Sequence, residues 1–397
     1  MSTDACRGEH LLEVRDLAVH FALKRSLADR MARRGGRIAR AVDGVSLALD
    51  RGELLALVGE SGSGKTTLAL AALRLLDPTA GRVLLEGRDV TALSRSELRP
   101  LRRRAQLVHQ DPYAVLDPRL RSCDLVAEAL RIHGYRQASG AEERDAVHDA
   151  LEKVGLTPVE SFAERYPHQL SGGQRQRVAI AGSLVLGPSL LVADEPVSML
   201  DVSVRAGILQ LLDRLRHEEG VGILMITHDL ATAAHVADRV AVMYHGNLVE
   251  LGPARRVIDA PQHPYTQALI NAVPRVHREE ARVRTLPGEP PDASHVPTGC
   301  RFHPRCPVAQ ERCQVGVPEL LPVAGEGGVL VACHLRRGVA RGVHDGVRDA
   351  HPTGKGADPD RDAPRNHPRR VIGRGPVAGL SGAARVDVSR DEEGNKP

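Results

Sequence analysis

Aromatic residues are scarce in this 397-residue chain, which has no tryptophan, three phenylalanines and five tyrosines. A large core must therefore rest on Leu, Val, Ala and Ile, for which a hydrophobic content of 42% is sufficient. A stripe of interleaved basic and aromatic side chains, the usual device for single-stranded nucleic acid, is also missing. The net charge of +4 is mild, so no nucleic-acid partner is expected. No uncharged apolar run reaches about 18 residues, so no membrane-spanning helix is expected. The N-terminus carries Asp4, Arg7 and Glu9 and does not read as a secretory leader. The chain is accordingly expected in the cytoplasm, where its six cysteines suggest thiols or a metal site before disulfides. The length favours more than one domain.

What is present centres on Gly59-Glu60-Ser61-Gly62-Ser63-Gly64-Lys65-Thr66-Thr67. This stretch follows the apolar run Leu54 to Val58, which reads as a short buried strand, and precedes the Ala/Leu-rich helical run 68–76. The spelling is that of a phosphate-binding loop. Its glycines let the backbone turn tightly so that several N–H groups face one anion, and the following helix adds its positive end. Lys65 supplies a full charge to the outer phosphates, and the Thr66 hydroxyl is a ligand for Mg²⁺.

Along the chain, Leu11 to Phe21 reads as an edge hairpin strand with imperfect alternation, and 24–40 as an exposed basic loop. Further strands are expected at 41–49, 81–85, 89–90, 105–109, 190–193 and 222–226, with a hairpin over 240–251. Helices are expected at 124–132, 140–154, 174–186 and 202–217, and 111–175 reads as a helical insertion. Strands alternating with helices argue for an α/β fold with a largely parallel sheet. From Pro261 prolines and turns become dense, and beyond residue 336 the composition predicts disorder.

Several polar residues stand at the ends of predicted parallel strands, where open α/β sheets bind ligands. Asp194 ends one and would join the Mg²⁺ shell, with Glu195 one step further on as a general base for water. Gln110 ends a second and could reach metal or water; His228 ends a third and could reach a γ-phosphate oxygen. Leu170-Ser171-Gly172-Gly173-Gln174 is a second glycine turn opening a helix, and so a second site for an anion.

This set, with Ser198-Met199-Leu200-Asp201, resembles the nucleotide-binding subunits of ABC transporters over residues 10–335. The resemblance implies a P-loop NTPase of the ABC type with a helical subdomain at about 111–175, binding ATP and Mg²⁺. It implies a head-to-tail dimer with a second ABC ATPase subunit, in which Ser171, Gly172, Gly173 and Gln174 act on the partner's nucleotide and Asp201 couples the two sites. Phe21 matches the aromatic that stacks on adenine. Two transmembrane permease subunits and an extracytoplasmic substrate-binding protein are the further implied partners, placing the chain at the cytoplasmic face of the cell membrane. The runs 109–119, 194–204, 242–252, 262–274 and 299–307 are similar to the peptide/nickel importer ATPases, most of all the F-type ATPase of oligopeptide and dipeptide systems. Peptides are the expected cargo, with nickel or another small solute as the alternative. A nucleic-acid-directed ABC ATPase is the more distant one.

Four cysteines, Cys300, Cys306, Cys313 and Cys333, fall in the C-terminal segment 261–336. Four thiolates suit zinc or an iron–sulfur cluster, and unligated thiols remain a third reading. The resemblance implies a [4Fe–4S] cluster on these four; His303 and His334 stand nearby in the sequence as alternate ligands.

Overall fold

Strand β3 (Leu54–Val58) is buried at all five positions. Continuous burial of this kind requires cover on both faces, as in a parallel sheet. The computed structural model describes residues 10–23, 37–134, 140–272, 292 and 294–336. The expected basic loop over 24–36 and the tail beyond 336 lie outside the described residues.

β3 runs parallel to β8 (Gly222–Thr227) on one side and to β9 (Arg239–Tyr244) on the other. β7 (Leu190–Asp194) and β6 (Ala105–Val108) continue the parallel array beyond β8. β10 (Asn247–Pro253) returns antiparallel to β9 across the tight turn His245-Gly246. The C-terminal segment adds β12 (Leu330–Val331) to β10, and β11 (Leu321–Pro322) to β12. The dense turns after residue 261 therefore do not form a body apart: the segment extends the main sheet.

Side-chain alternation splits the core in two. Leu54, Ala56, Val58, Leu191, Ala193, Ile223 and Met225 face one cluster. Leu55, Leu57, Leu190, Val192, Leu224 and Ile226 face the other. On the first face lie α4 (Ser122–Ile132), α5 (Gly140–Lys153), α7 (Gly172–Leu184) and α8 (Val202–Glu218), all through apolar stripes. On the second lie α1 (Lys65–Ala72) and a separate antiparallel sheet. In chain order the remaining helices are α2 (Arg95–Arg102), α3 (Pro112–Val115), α6 (Val159–Ala163), α9 (Leu230–Val236), α10 (Ala254–Asp259), α11 (Pro264–Ala272) and α12 (Glu311–Val315). Among the described residues, the stretch from 111 to 175 is helical wherever it carries regular structure, and no helix is long and apolar enough to cross a membrane.

The antiparallel sheet corrects one expectation. Its order is β2-β1-β4-β5, so β1 (Leu12–Ala22) lies between β2 (Ile38–Leu49) and β4 (Ala80–Leu85) and is not an edge strand; β2 and β5 (Arg88–Asp89) are the edges. The imperfect alternation comes from a bulge. Asp16 takes a left-handed φ of 48°, pairing slips between Val14 and Leu17, and Leu17, Ala18 and Val19 are all buried in succession. Gly81 accommodates the bulge, since a Cβ there would stand 2.4 Å from the Asp16 carbonyl oxygen. Ile38 to Arg40, read from the sequence as loop, begin β2.

Candidate functional site

Sheet register brings four strand ends together. Val58 pairs with Thr227, Asp194 with Ile226, and Val108 with Ala193. The loops that leave β3, β8, β7 and β6 at these points carry Gly59–Thr67, His228, Glu195 and Gln110. This is the carboxyl edge of the parallel sheet, where ligands bind in open α/β folds.

The phosphate loop is wedged against neighbouring backbone. A Cβ at Gly59 would lie 2.2 Å from the Met243 carbonyl oxygen, and one at Gly64 would lie 2.1 Å from that of Ala41. Both residues, with Gly62, have positive φ. The loop therefore needs glycine for close approach as well as for its turn. Lys65 is buried, and its Nζ donates to the carbonyls of Gly59 at 2.8 Å and Glu60 at 2.9 Å. An ammonium has three donors, so one remains for a phosphate oxygen. Burial pulls the Lys65 pKa below the usual lysine range, opposed by the carboxylates of Glu195, Asp194 and Glu60. Ser63 Oγ is buried without a hydrogen-bond partner, and the first N–H groups of α1 have no acceptor within the helix. A bound phosphate suits both features.

Thr66 Oγ1 donates to Asp194 Oδ1 over 3.4 Å. Burial raises the Asp194 pKa, opposed by the Thr66 hydrogen bond and Lys65. Mg²⁺ is commonly held by one or two protein oxygens, substrate phosphates and water, so this hydroxyl–carboxylate pair fits that ion. Next in the chain, Glu195 has a left-handed φ of 46°. Its N–H donates to the Ile226 carbonyl at 3.0 Å, and the Ser198 N–H and hydroxyl both donate to its carbonyl. Its carboxylate accepts from Gln110 Nε2 at 2.9 Å and lies 3.2 Å from His228 Nδ1. Three residues predicted separately from strand ends thus meet around one carboxylate.

The turn at Ser171 is a helix cap. Ser171 Oγ accepts the Gln174 N–H at 3.3 Å while Gln174 Oε1 accepts the Ser171 N–H at 2.9 Å, a reciprocal capping box on α7. Gly173 packs against α8, where its Cβ would stand 2.3 Å from Val204 Cγ1. Gly172 meets only ordinary contacts with Leu200 and Tyr113. Among the described residues, no hydrogen bond or ion pair joins 171–174 to 59–67. Asp201 is exposed at the start of α8 with no capping bond from its side chain, between Met199 and Val202, which are also exposed. Phe21, near the end of β1, is 40% exposed.

The iron–sulfur expectation is a correction. Cys300 lies close enough to Cys306, Cys313 and Cys333 for charge on each to oppose its ionisation, and burial pushes its thiol up to about 11. Burial raises Cys306 and Cys333 as well. His303 Nδ1 and His334 Nε2 are engaged by the backbone carbonyls of Cys300 and Gly316. Among the described residues, no three or more His, Cys, Asp or Glu side chains are grouped to hold a metal ion. The residues do not fit the cluster, and no role is built on it.

Sequence reasoning missed what surrounds Glu60. Its carboxylate accepts from Arg305 Nη1 at 2.7 Å and Nη2 at 3.1 Å, and its N–H donates to Tyr265 Oη at 2.9 Å. Arg301 of the same segment pairs with Asp43 and donates to the His245 carbonyl. The only hint was a carboxylate standing inside an otherwise small and polar loop.

Residues 42–198 match the family described as ABC transporter, and residues 249–313 the oligopeptide/dipeptide transporter C-terminal region. A probable peptide ABC transporter ATP-binding protein of Sinorhizobium fredii is 46% identical over 330 residues, covering 83% of this chain and 91% of that protein. The oligopeptide transport ATP-binding protein AppF of Bacillus subtilis is 43% identical over 336 residues, covering 83% of this chain and 99% of its own. Among solved structures, a dimeric ATP-binding cassette in a post-hydrolysis state bound to ADP and Pi superposes with a TM-score of 0.53 at 30% identity. It covers 62% of this chain and 99% of its own. With a phosphate loop, a carboxylate pair and a capped glycine turn set on that fold, the chain belongs to the ATP-binding subunits of ABC transporters, in the oligopeptide/dipeptide importer family.

Proposed function

We propose that this chain hydrolyses ATP to energise an importer of peptides, from the cytoplasmic face of the membrane. The observation that carries the catalytic half is the meeting of Gln110, Glu195 and His228 beside the Thr66–Asp194 pair at one sheet edge. In this reading the amides of residues 59–67 and the third donor of Lys65 bind the phosphates, and Phe21 stacks on adenine. Thr66 and Asp194, with Gln110 at the edge of the shell, hold Mg²⁺, which supplies charge neutralisation on the phosphate oxygens.

Glu195 accepts the proton of the attacking water. Gln110 fixes the orientation of its carboxylate, and His228 stands where a γ-phosphate oxygen would be contacted. Catalysis is then mostly positioning and charge stabilisation. Ser171, Gly172, Gly173 and Gln174 complete the site of a second ABC ATPase subunit, consistent with the absence of any bond between 171–174 and 59–67 in one chain. Asp201, with the exposed Met199 and Val202, lies in that interface. The helical region 111–175 faces two permease subunits, which receive cargo from an extracytoplasmic substrate-binding protein. ATP closes the dimer, closure drives the permease, and hydrolysis resets it.

Tagged chain purified from detergent-solubilised membranes should bring down the permease subunits and hydrolyse ATP. The same preparation should transport peptide when reconstituted with the binding protein. Recovery without permeases, or transport of another solute in preference to peptides, would overturn the corresponding part of the reading.

A further inference from the structure

We propose that Arg305, in the C-terminal segment, is a positioning residue for the phosphate loop and sets the affinity for ATP without touching it. This rests on reading 59–67 as the ATP site. Every polar group of Glu60 is engaged. Its carboxylate takes the two-pronged Arg305 guanidinium at 2.7 and 3.1 Å. Its N–H goes to Tyr265 Oη at 2.9 Å, and its carbonyl receives Lys65 Nζ at 2.9 Å. Glu60 is thus the link through which Arg305 acts on the lysine that serves the phosphates. A fork-on-fork pair fixes direction as well as distance, which a single charge contact does not.

The base of this link is rigid. Tyr244, Tyr265 and Phe302 are 2%, 0% and 1% exposed. Their ring centroids lie 4.6 to 5.4 Å apart, with Tyr244 and Phe302 edge to face. In a chain with only three phenylalanines and five tyrosines, three of these rings are spent beneath one loop residue. Arg305 itself is 7% exposed; its N–H donates to the Phe302 carbonyl at 3.0 Å, and its Nη1 lies 3.5 Å from Tyr244 Oη. The loop also meets the Met243 carbonyl, which leaves no room for a Cβ at Gly59. The loop is therefore contacted by the main sheet at Gly59 and by the C-terminal segment at Glu60, both within the same chain.

The test uses the full chain, with ATP binding measured by calorimetric titration and thermal unfolding recorded without nucleotide. Removing one charge alone would take from the other its opposite charge, so the decisive variant is E60Q/R305M, which removes both. It is expected to unfold near the wild-type temperature and to bind ATP roughly tenfold more weakly, the loss expected from a loosened site. R305K, which keeps the charge and loses the fork, should fall between the two. Tyr265→Phe, which strips the acceptor from the Glu60 N–H, should weaken binding in the same direction. Wild-type affinity in E60Q/R305M overturns the proposal. So does its failure to fold, because the pair would then be an anchor for the segment and not a guide for the loop. Lys65→Ala separates this from the site assignment. If wild type binds ATP and Lys65→Ala does not, 59–67 is the site, whatever the result at Arg305. If Lys65→Ala binds as wild type does, both fall.

Discussion

The Gln110 side-chain amide donates to the Glu195 carboxylate over 2.9 Å, tying the end of β6 to the end of β7. A carboxylate that must accept a proton from water needs a fixed direction, and this bond supplies one.

Glu195→Gln should leave ATP binding intact and lower turnover by about 10²–10⁴-fold, the usual contribution of a general base. Gln110→Ala should lower turnover by a smaller factor, since it frees the carboxylate without removing it. Phosphate release and equilibrium ATP binding, measured on the same preparations, check both. Unchanged turnover in Glu195→Gln would remove it from the base role.

Asp194 carries a pKa raised chiefly by burial. A carboxyl raised in the folded state contributes stability below its unfolded value and loses it as pH rises through the folded one. At neutral pH its charge is thus a cost to the fold. Asp194→Asn should raise the unfolding temperature measured without nucleotide, while reducing Mg²⁺-dependent ATP turnover by orders of magnitude. Thermal scans at pH 7 with and without Mg²⁺ and ATP distinguish the two effects.

Gly173 lies where a Cβ would come within 2.3 Å of Val204 Cγ1. Valine on a helix has little rotamer freedom with which to withdraw. Gly173→Ala should destabilise the chain by about 1–3 kcal/mol, the usual cost of overpacking. Val204→Ala in the same chain should recover part of it. Urea unfolding of the two variants gives the comparison, and an equal loss in both would show the clash to be elsewhere.

His263 is 1% exposed, and its Nδ1 accepts the Tyr265 N–H at 3.0 Å. Burial lowers its pKa from 6.5 to about 3, so the native state keeps it neutral while the unfolded chain protonates it across that window. Stability is therefore intact above about pH 6.5 and falls as the medium is acidified, by at most about 1.4 kcal/mol per pH unit. His263→Asn, whose side-chain oxygen can accept the same N–H, should flatten that slope between pH 6 and 4 in denaturant titrations. An unchanged slope would assign acid sensitivity to other groups.

By itself the sequence determined the phosphate loop, the strand ends that carry Gln110, Asp194, Glu195 and His228, and the glycine turn at Ser171 that opens a helix. These are local features. A glycine turn and a run of buried apolar residues each leave their mark within a few consecutive positions, because backbone hydrogen bonding and side-chain burial impose it there. The tertiary structure alone decided three things. It placed β1 inside its sheet, because side-chain alternation reports which face is buried and not how many strands pair with the backbone, and the bulge at Asp16 blurs even that pattern. It left the C-terminal cysteines as free thiols, one buried and three half-buried, because spacing along the chain does not fix whether their side chains converge on a common centre. And it joined Glu60 to Arg305, 245 positions away, because a pair that meets through space has no period or motif along the chain by which it could be read.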